Sequence, residues 1–166
     1  MYKDFQIKKK KKRDGLLAVW IIVVVVLFLI VGIPAVRGIH EVHRYRTFVN
    51  EYTDSLNHAR KNGGVTVGTV EEDAWRMTAD QGSRLYTLII DAGMGKPQKE
   101  DPAGKYYYLT FPNGSELRLC EVEIMEKSRK QEKGLFVSFE NTENKIYRYD
   151  TDNIDVDAVL ALLSKK

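Results

Sequence analysis

Three groups of side chains in this sequence have types and spacings that could carry chemistry. The first is His40-Glu41-Val42-His43. Imidazole nitrogens are common zinc ligands, but these histidines are three apart rather than four, so this is not His-Glu-x-x-His, and no third ligand accompanies them. The pair reads as amphipathic surface, and His58, alone, is expected in solvent. The second group is Asp150, Asp152, Asn153, Asp155 and Asp157. Carboxylates at this density suit calcium, but a calcium loop needs glycine at its sixth place and glutamate at its twelfth. Counted from Asp150, those places hold Asp155 and Ala161. Helix capping and favourable contact with a helix N-terminus explain the acids without a metal. No metal and no cofactor are therefore expected.

The third group is aromatic: Tyr106, Tyr107, Tyr108, Tyr147 and Tyr149, with Trp75, Phe136 and Phe139. Successive side chains of a strand point to opposite faces, so some of these tyrosines must leave the core side. Tyrosine suits binding surfaces because it is amphipathic and loses little rotamer entropy. Tyr106, Tyr108, Tyr147 and Tyr149 are the expected binding residues. Ordinary cross-strand pairing explains the same aromatics with no ligand at all. Beyond these groups, the catalytic signatures are missing. No histidine follows His58, and there is no nucleophile elbow, phosphate-binding glycine loop or Cys-x-x-Cys. A non-enzymatic protein is expected. Cys120 is the single cysteine. It excludes an intrachain disulfide and reads as a small residue of an apolar strand.

The elements that must position these groups begin with residues 16–36, which carry no charged or strongly polar side chain. As a helix the stretch is about 31 Å long at ~1.5 Å per residue, the thickness of a bilayer's hydrocarbon core. A helix satisfies its own backbone hydrogen bonds in lipid. Secretory signals share a charged start and an apolar middle, but their core is shorter, and no Ala-x-Ala site follows, Val36-Arg37-Gly38 being a poorer one. An uncleaved anchor is expected. The chain's net charge is +3, yet residues 1–15 hold seven cations against two acids, or +5, leaving −2 for the rest. Basic character therefore belongs to the tail, which argues against a nucleic-acid partner for the folded part. The run from Lys8 to Arg13 abuts the apolar stretch. By the positive-inside rule it keeps the N-terminus cytoplasmic and sends the C-terminal part outside. The lipid bilayer is one expected partner.

Lys12-Arg13-Asp14-Gly15 before an apolar helix resembles the leader of type IV pilins and pseudopilins, which are cut after the glycine. That pattern expects Phe at the next place and Glu four further on. This chain has Leu16 and Trp20. The likeness is confined to the leader and the start of the helix.

Pro34 and Gly38 allow a kink or break beyond the apolar stretch. From 39 to 61 the spacing is helical again, with Val42, Tyr45, Val49, Tyr52, Leu56 and Ala59 three and four apart. Such a seam supports oligomerisation, with Val42, Tyr45, Val49, Tyr52 and Leu56 as its contact residues and a homodimer as the product. It equally supports packing on the protein's own domain, because its length falls short of a convincing coiled coil. Asn62-Gly63-Gly64 ends the helix.

Residues 63–166 read as one α+β domain in two layers, an antiparallel sheet covered by one helix, in the order β-β-α-β-β-β-β-α. A hairpin spans 65–77. Thr78-Ala79-Asp80-Gln81 is a capping box opening a helix over 79–92. A polar loop over 96–104 precedes strands at 105–111 and 116–124, joined by Asn113-Gly114. The apolar set shifts from Leu117 and Leu119 to Val122 and Ile124, which predicts a bulge near Cys120–Glu121. A charged, flexible connection over 125–134 leads to a second hairpin, 135–139 with 146–149. Asp155 caps a last helix over 156–163. The chain thus divides into a tail (1–15), a transmembrane helix (16–36), a juxtamembrane helix (37–62) and an extracytoplasmic domain (63–166). The function expected is a membrane-anchored binding module of the cell envelope, its partner a protein or other envelope component. The alternative is a structural subunit of a secretion, conjugation or pilus-like assembly.

Overall fold

The structure, a computed structural model, describes residues 17, 19–70, 72–93, 95–125 and 131–164. The basic tail expected over 1–15 lies outside them. The chain divides into two compact units, the boundary falling between Glu41 and Val42 in sequence.

In the first unit, residues 19–27 are helical and fully apolar, and a π-helical turn occupies Phe28–Gly32. The Ile33 N–H closes that turn on the Phe28 carbonyl. Helix α1 (Ile33–Lys61) follows directly. Pro34 lies inside this continuous helical run, just after the π-helical turn, so its missing N–H leaves a carbonyl of the preceding turn without its helical donor. The helix nevertheless does not break at Pro34 or Gly38. The wider turn upstream takes up the proline, and the helix runs through Gly38. Among the described residues, one helix is long and apolar enough to cross a membrane.

The second unit is an antiparallel sheet with helices on one face. Its strands are β1 (Val65–Thr69), β2 (Trp75–Met77), β3 (Lys96–Pro97), β4 (Tyr106–Thr110), β5 (Glu116–Met125), β6 (Gln131–Glu140) and β7 (Ile146–Thr151). They lie in the order β2-β1-β4-β5-β6-β7-β3. Helices α2 (Ala79–Asp91) and α3 (Val156–Leu163) complete the unit. The capping box at Thr78 and Gln81 is formed in both directions, and Asp155 accepts from the Ala158 N–H.

The core lies between the sheet and the helices. From α1 it takes Phe48, Tyr52, Leu56 and Ala59, and from α2 Leu85 and Ile89. Val159 and Leu163 come from α3. The sheet meets them with Val67, Leu109, Leu117, Leu119, Val137, Phe139, Tyr147 and Tyr149. Phe48 is its hub, with ring centroids 5.9 Å from Tyr52, 5.8 Å from Phe139 and 5.7 Å from Tyr149. Polar ties add to this packing. Ser55 on α1 receives a hydrogen bond from Ser115 at 2.8 Å and one from Asn113 at 3.0 Å, both at the β4–β5 turn. Glu51, one helical turn earlier, accepts from Asn141 in the β6–β7 turn at 3.0 Å.

Four expectations are corrected here. The helical layer is not one helix, because the second half of α1 and α3 share it with α2. The stretch 96–104 is not all loop; Lys96 and Pro97 pair with Asp150 and Tyr149, adding a short edge strand that hydropathy alone does not mark. No bulge interrupts β5, whose register with β6 runs unbroken from Glu116↔Glu140 to Met125↔Gln131. The apolar parity shifts because the far end of this pair extends past β4 and β7, where Val122 and Ile124 face away from the helices. For the same reason Gln131–Gly134 belong to β6 rather than to a flexible connection; residues 126–130 lie outside the described ones.

Candidate functional site

The strand order has a consequence on the face opposite the helices. β3 and β4 follow one another in sequence but lie at β7's edge and beside β1, with three strands between them. Four strand steps of about 4.8 Å make about 19 Å. Residues 98–105 can cover about 26 Å when extended at ~3.3 Å each. This strap crosses the sheet, and side chains fasten it there. Gln98 donates to the Asp150 carboxylate. Asp101 receives the Arg148 Nε–H at 2.5 Å and an Arg118 Nη1–H at 3.5 Å. The Pro102 carbonyl accepts from the Tyr106 hydroxyl at 2.5 Å. Gly104 lies so close over Cys120 that a Cβ there would stand 2.5 Å from the sulfur.

Beneath the strap, Arg118, Ser138 and Arg148 form one row across β5, β6 and β7, and Cys120, Phe136 and Asp150 form the next. Arg118 is further held by Glu116 at 2.6 Å and Glu140 at 3.0 Å. These charge-assisted bonds raise its already high pKa, the Glu116 hydrogen bond foremost. Burial pushes the Cys120 thiol up, with the Glu121 charge adding to it. Asp150 also titrates above the ordinary carboxylate range because burial outweighs the Gln98 hydrogen bond. The two arginines and the acids Asp101, Glu116 and Glu140 carry a net −1 as drawn by their formal charges, so this cluster is no anion site.

At the β4 end, the strap stops short of covering the sheet. There Val70, Gly104, Lys105, Tyr106 and Tyr108 line a depression of about 400 Å³. The Tyr106 and Tyr108 rings lie 6.1 Å apart and tilted, and Tyr106 meets Phe136 edge-on at 6.2 Å. Val70, the residue directly after β1, is 85% exposed. Lys105 and Glu72 form an ion pair at 3.9 Å between exposed side chains. Burial, with the Cys120, Asp101 and Tyr108 neighbours adding, pushes the Tyr106 phenol up to about 12, so it stays protonated and donates to the strap. Two rings, a valine and one cation can grip an apolar or ring-shaped group with a polar edge. None of the five lining residues is paired as nucleophile and base. A larger groove, of about 810 Å³, runs between α2 and α3 past Leu88, Leu162, Ala158 and Arg84. Its walls pair Leu88, Leu162, Ala158 and Ala161 with Gln81, Ser83, Arg84 and Thr87, and the Gln81, Ser83 and Thr87 side chains are engaged in bonds within α2 and its cap.

The structure divides the four tyrosines expected at one binding face. Tyr106 and Tyr108 lie on the strap side. Tyr147 and Tyr149 do not join them; they are 0% and 3% exposed beneath α1, because β7 turns its odd-numbered residues inward. The α1 seam is also placed. Tyr52 and Leu56 are buried against the protein's own sheet, Tyr45 and Val49 pack at its rim, and Val42 is exposed. His40 and His43 are exposed on α1, and exposed His58 contacts Asn62. The acidic cluster is dispersed among separate tasks: Asp150 faces Gln98, Asp155 caps α3, and Asp152 and Asp157 are exposed. Sequence reasoning did not single out Val70, Lys105 or the arginine row. Their one signal is the alternation of Arg118 and Arg148 with buried neighbours on β5 and β7. No family model, curated protein or solved structure matches this chain.

Proposed function

We propose that this chain is a single-pass membrane protein, N-terminus in the cytoplasm, that presents its α+β unit outside the cytoplasm as a non-enzymatic binding module of the envelope. The observation that carries the binding reading is the aromatic corner of Val70, Lys105, Tyr106 and Tyr108 on an otherwise strapped sheet face. Exposed apolar groups beside a protonated phenol and an ammonium suit a protein segment or another envelope component. The apolar helix and the flanking lysine run support the placement. Tyr108 is the residue to test, since Tyr106 also fastens the strap. Tyr108→Ala should lower recovery of a partner from native membranes at least tenfold, with the melting temperature held. Undiminished capture would end the reading. Protease added to intact cells should remove the C-terminal unit; full protection would reverse the orientation. Assembly through the α1 seam has weaker support, because Tyr52 and Leu56 are already spent on the protein's own core.

A further inference from the structure

We propose that the 98–105 strap is a releasable cover, which opens as a local unit while the rest of the sheet stays folded. Backbone pairing anchors both its ends, β3 on β7 and β4 on β5. The Gln98 N–H adds a bond to the Arg148 carbonyl at 3.0 Å. Between the anchors the fastenings are polar: Asp101 on two arginines, and the Pro102 carbonyl on Tyr106. Lys99, Glu100, Asp101, Ala103, Gly104 and Lys105 are all exposed, so the strap buries little apolar surface of its own. What it seals is very different. Phe136, Cys120 and Ser138 beneath it are 0%, 1% and 1% exposed. A segment held by polar contacts, its ion-pair side chains 23–30% exposed, over a closed surface opens at less cost than the core, and salt weakens its hold. Opening also changes the corner, because Gly104 and Lys105 form its wall and the Tyr106 hydroxyl is tied to Pro102. This second consequence, that the strap regulates ligand access, rests on the binding reading above; the opening itself does not.

Cys120 is the only thiol in the chain and reports the event without any ligand. The experiment is maleimide labelling of the full chain in lipid nanodiscs, followed by mass spectrometry across a urea series below the unfolding transition. Labelling of Cys120 should proceed without urea, with a urea dependence much shallower than that of global unfolding. Asp101→Asn should accelerate it about tenfold or more, since it removes charge-assisted bonds to two arginines. Arg148→Gln, which cuts the same contact from the sheet side, should act likewise should Asp101→Asn fail to fold. Added salt should accelerate the parent protein. The proposal is overturned by a urea dependence equal to that of global unfolding. It is equally overturned when both variants label no faster than their loss of global stability requires. Unchanged labelling in Tyr108→Ala with lost capture supports the cover and the binding reading separately, and intact capture with fast labelling leaves the cover standing alone.

Discussion

At the scale of single residues, Gly64 and Asp150 show how one atom or one proton decides stability. Gly64 has φ +97°, and a Cβ added there would stand 2.6 Å from the Met77 carbonyl oxygen. Gly93 also has positive φ, +79°, but nothing lies near its missing Cβ. Gly93→Ala should cost about 1 kcal/mol from backbone strain alone, and Gly64→Ala at least about 2 kcal/mol because the clash adds. Urea unfolding of both variants checks this; equal costs would show that the β2 carbonyl yields freely. Asp150 holds its proton to higher pH when folded than when unfolded, because burial raises its pKa. Its contribution is therefore fully present below the ordinary carboxyl value of 3.8 and is lost as pH rises through the folded value. Asp150→Asn should flatten that decline when melting temperature is followed from acid to neutral pH. A variant that loses the same stability at every pH would show that the Gln98 contact, not the charge, matters.

At the scale of elements, the helices carry their own start signals, but their partners do not appear in those signals. The reciprocal bonds between Thr78 and Gln81 open α2. Thr78→Ala should cost about 1 kcal/mol and Thr78→Ser almost nothing, measured by equilibrium unfolding. In α1 the same spacing would serve a second copy or the protein's own sheet, and burial chooses the sheet for its second half. Phe48→Ala should cost about 3–5 kcal/mol, while Val42→Ala stays near neutral. If both were neutral and protein concentration set the melting temperature, the seam would belong to an oligomer instead. The tyrosines make the same point for strands. Alternation says that neighbours part company, but only pairing says which member of each pair meets a helix.

At the scale of the whole molecule, the folded unit starts at Val42, inside a helix, rather than at the glycines that end it. A fragment beginning at Val42 should unfold cooperatively. One beginning at Gly63 should not, since it lacks Phe48, Tyr52, Leu56 and Ala59 and would expose the aromatic core they cover. Cooperative melting of the shorter fragment would show that α1 is an accessory stalk.

Local patterns alone determined a good deal: the apolar helix, the capping box at Thr78, the Asn113-Gly114 hairpin, the cap at Asp155 and the α+β class. The caps and the hairpin are written in residues within one or two turns of each other, and the apolar helix in one unbroken stretch, so periodicity and turn chemistry expose them. Tertiary structure decided the rest. A two-residue edge strand has no hydropathy signature, and its pairing with β7 is what sends the strap across the sheet. The strap brings Asp101 to Arg118 and Arg148, and Gly104 over Cys120, from positions separated by up to 47 residues. It also leaves Tyr106 and Tyr108 at an open corner while Tyr147 and Tyr149 go under α1. Such contacts depend on strand order, and strand order is set by burial summed over the whole sheet rather than by any one stretch of chain.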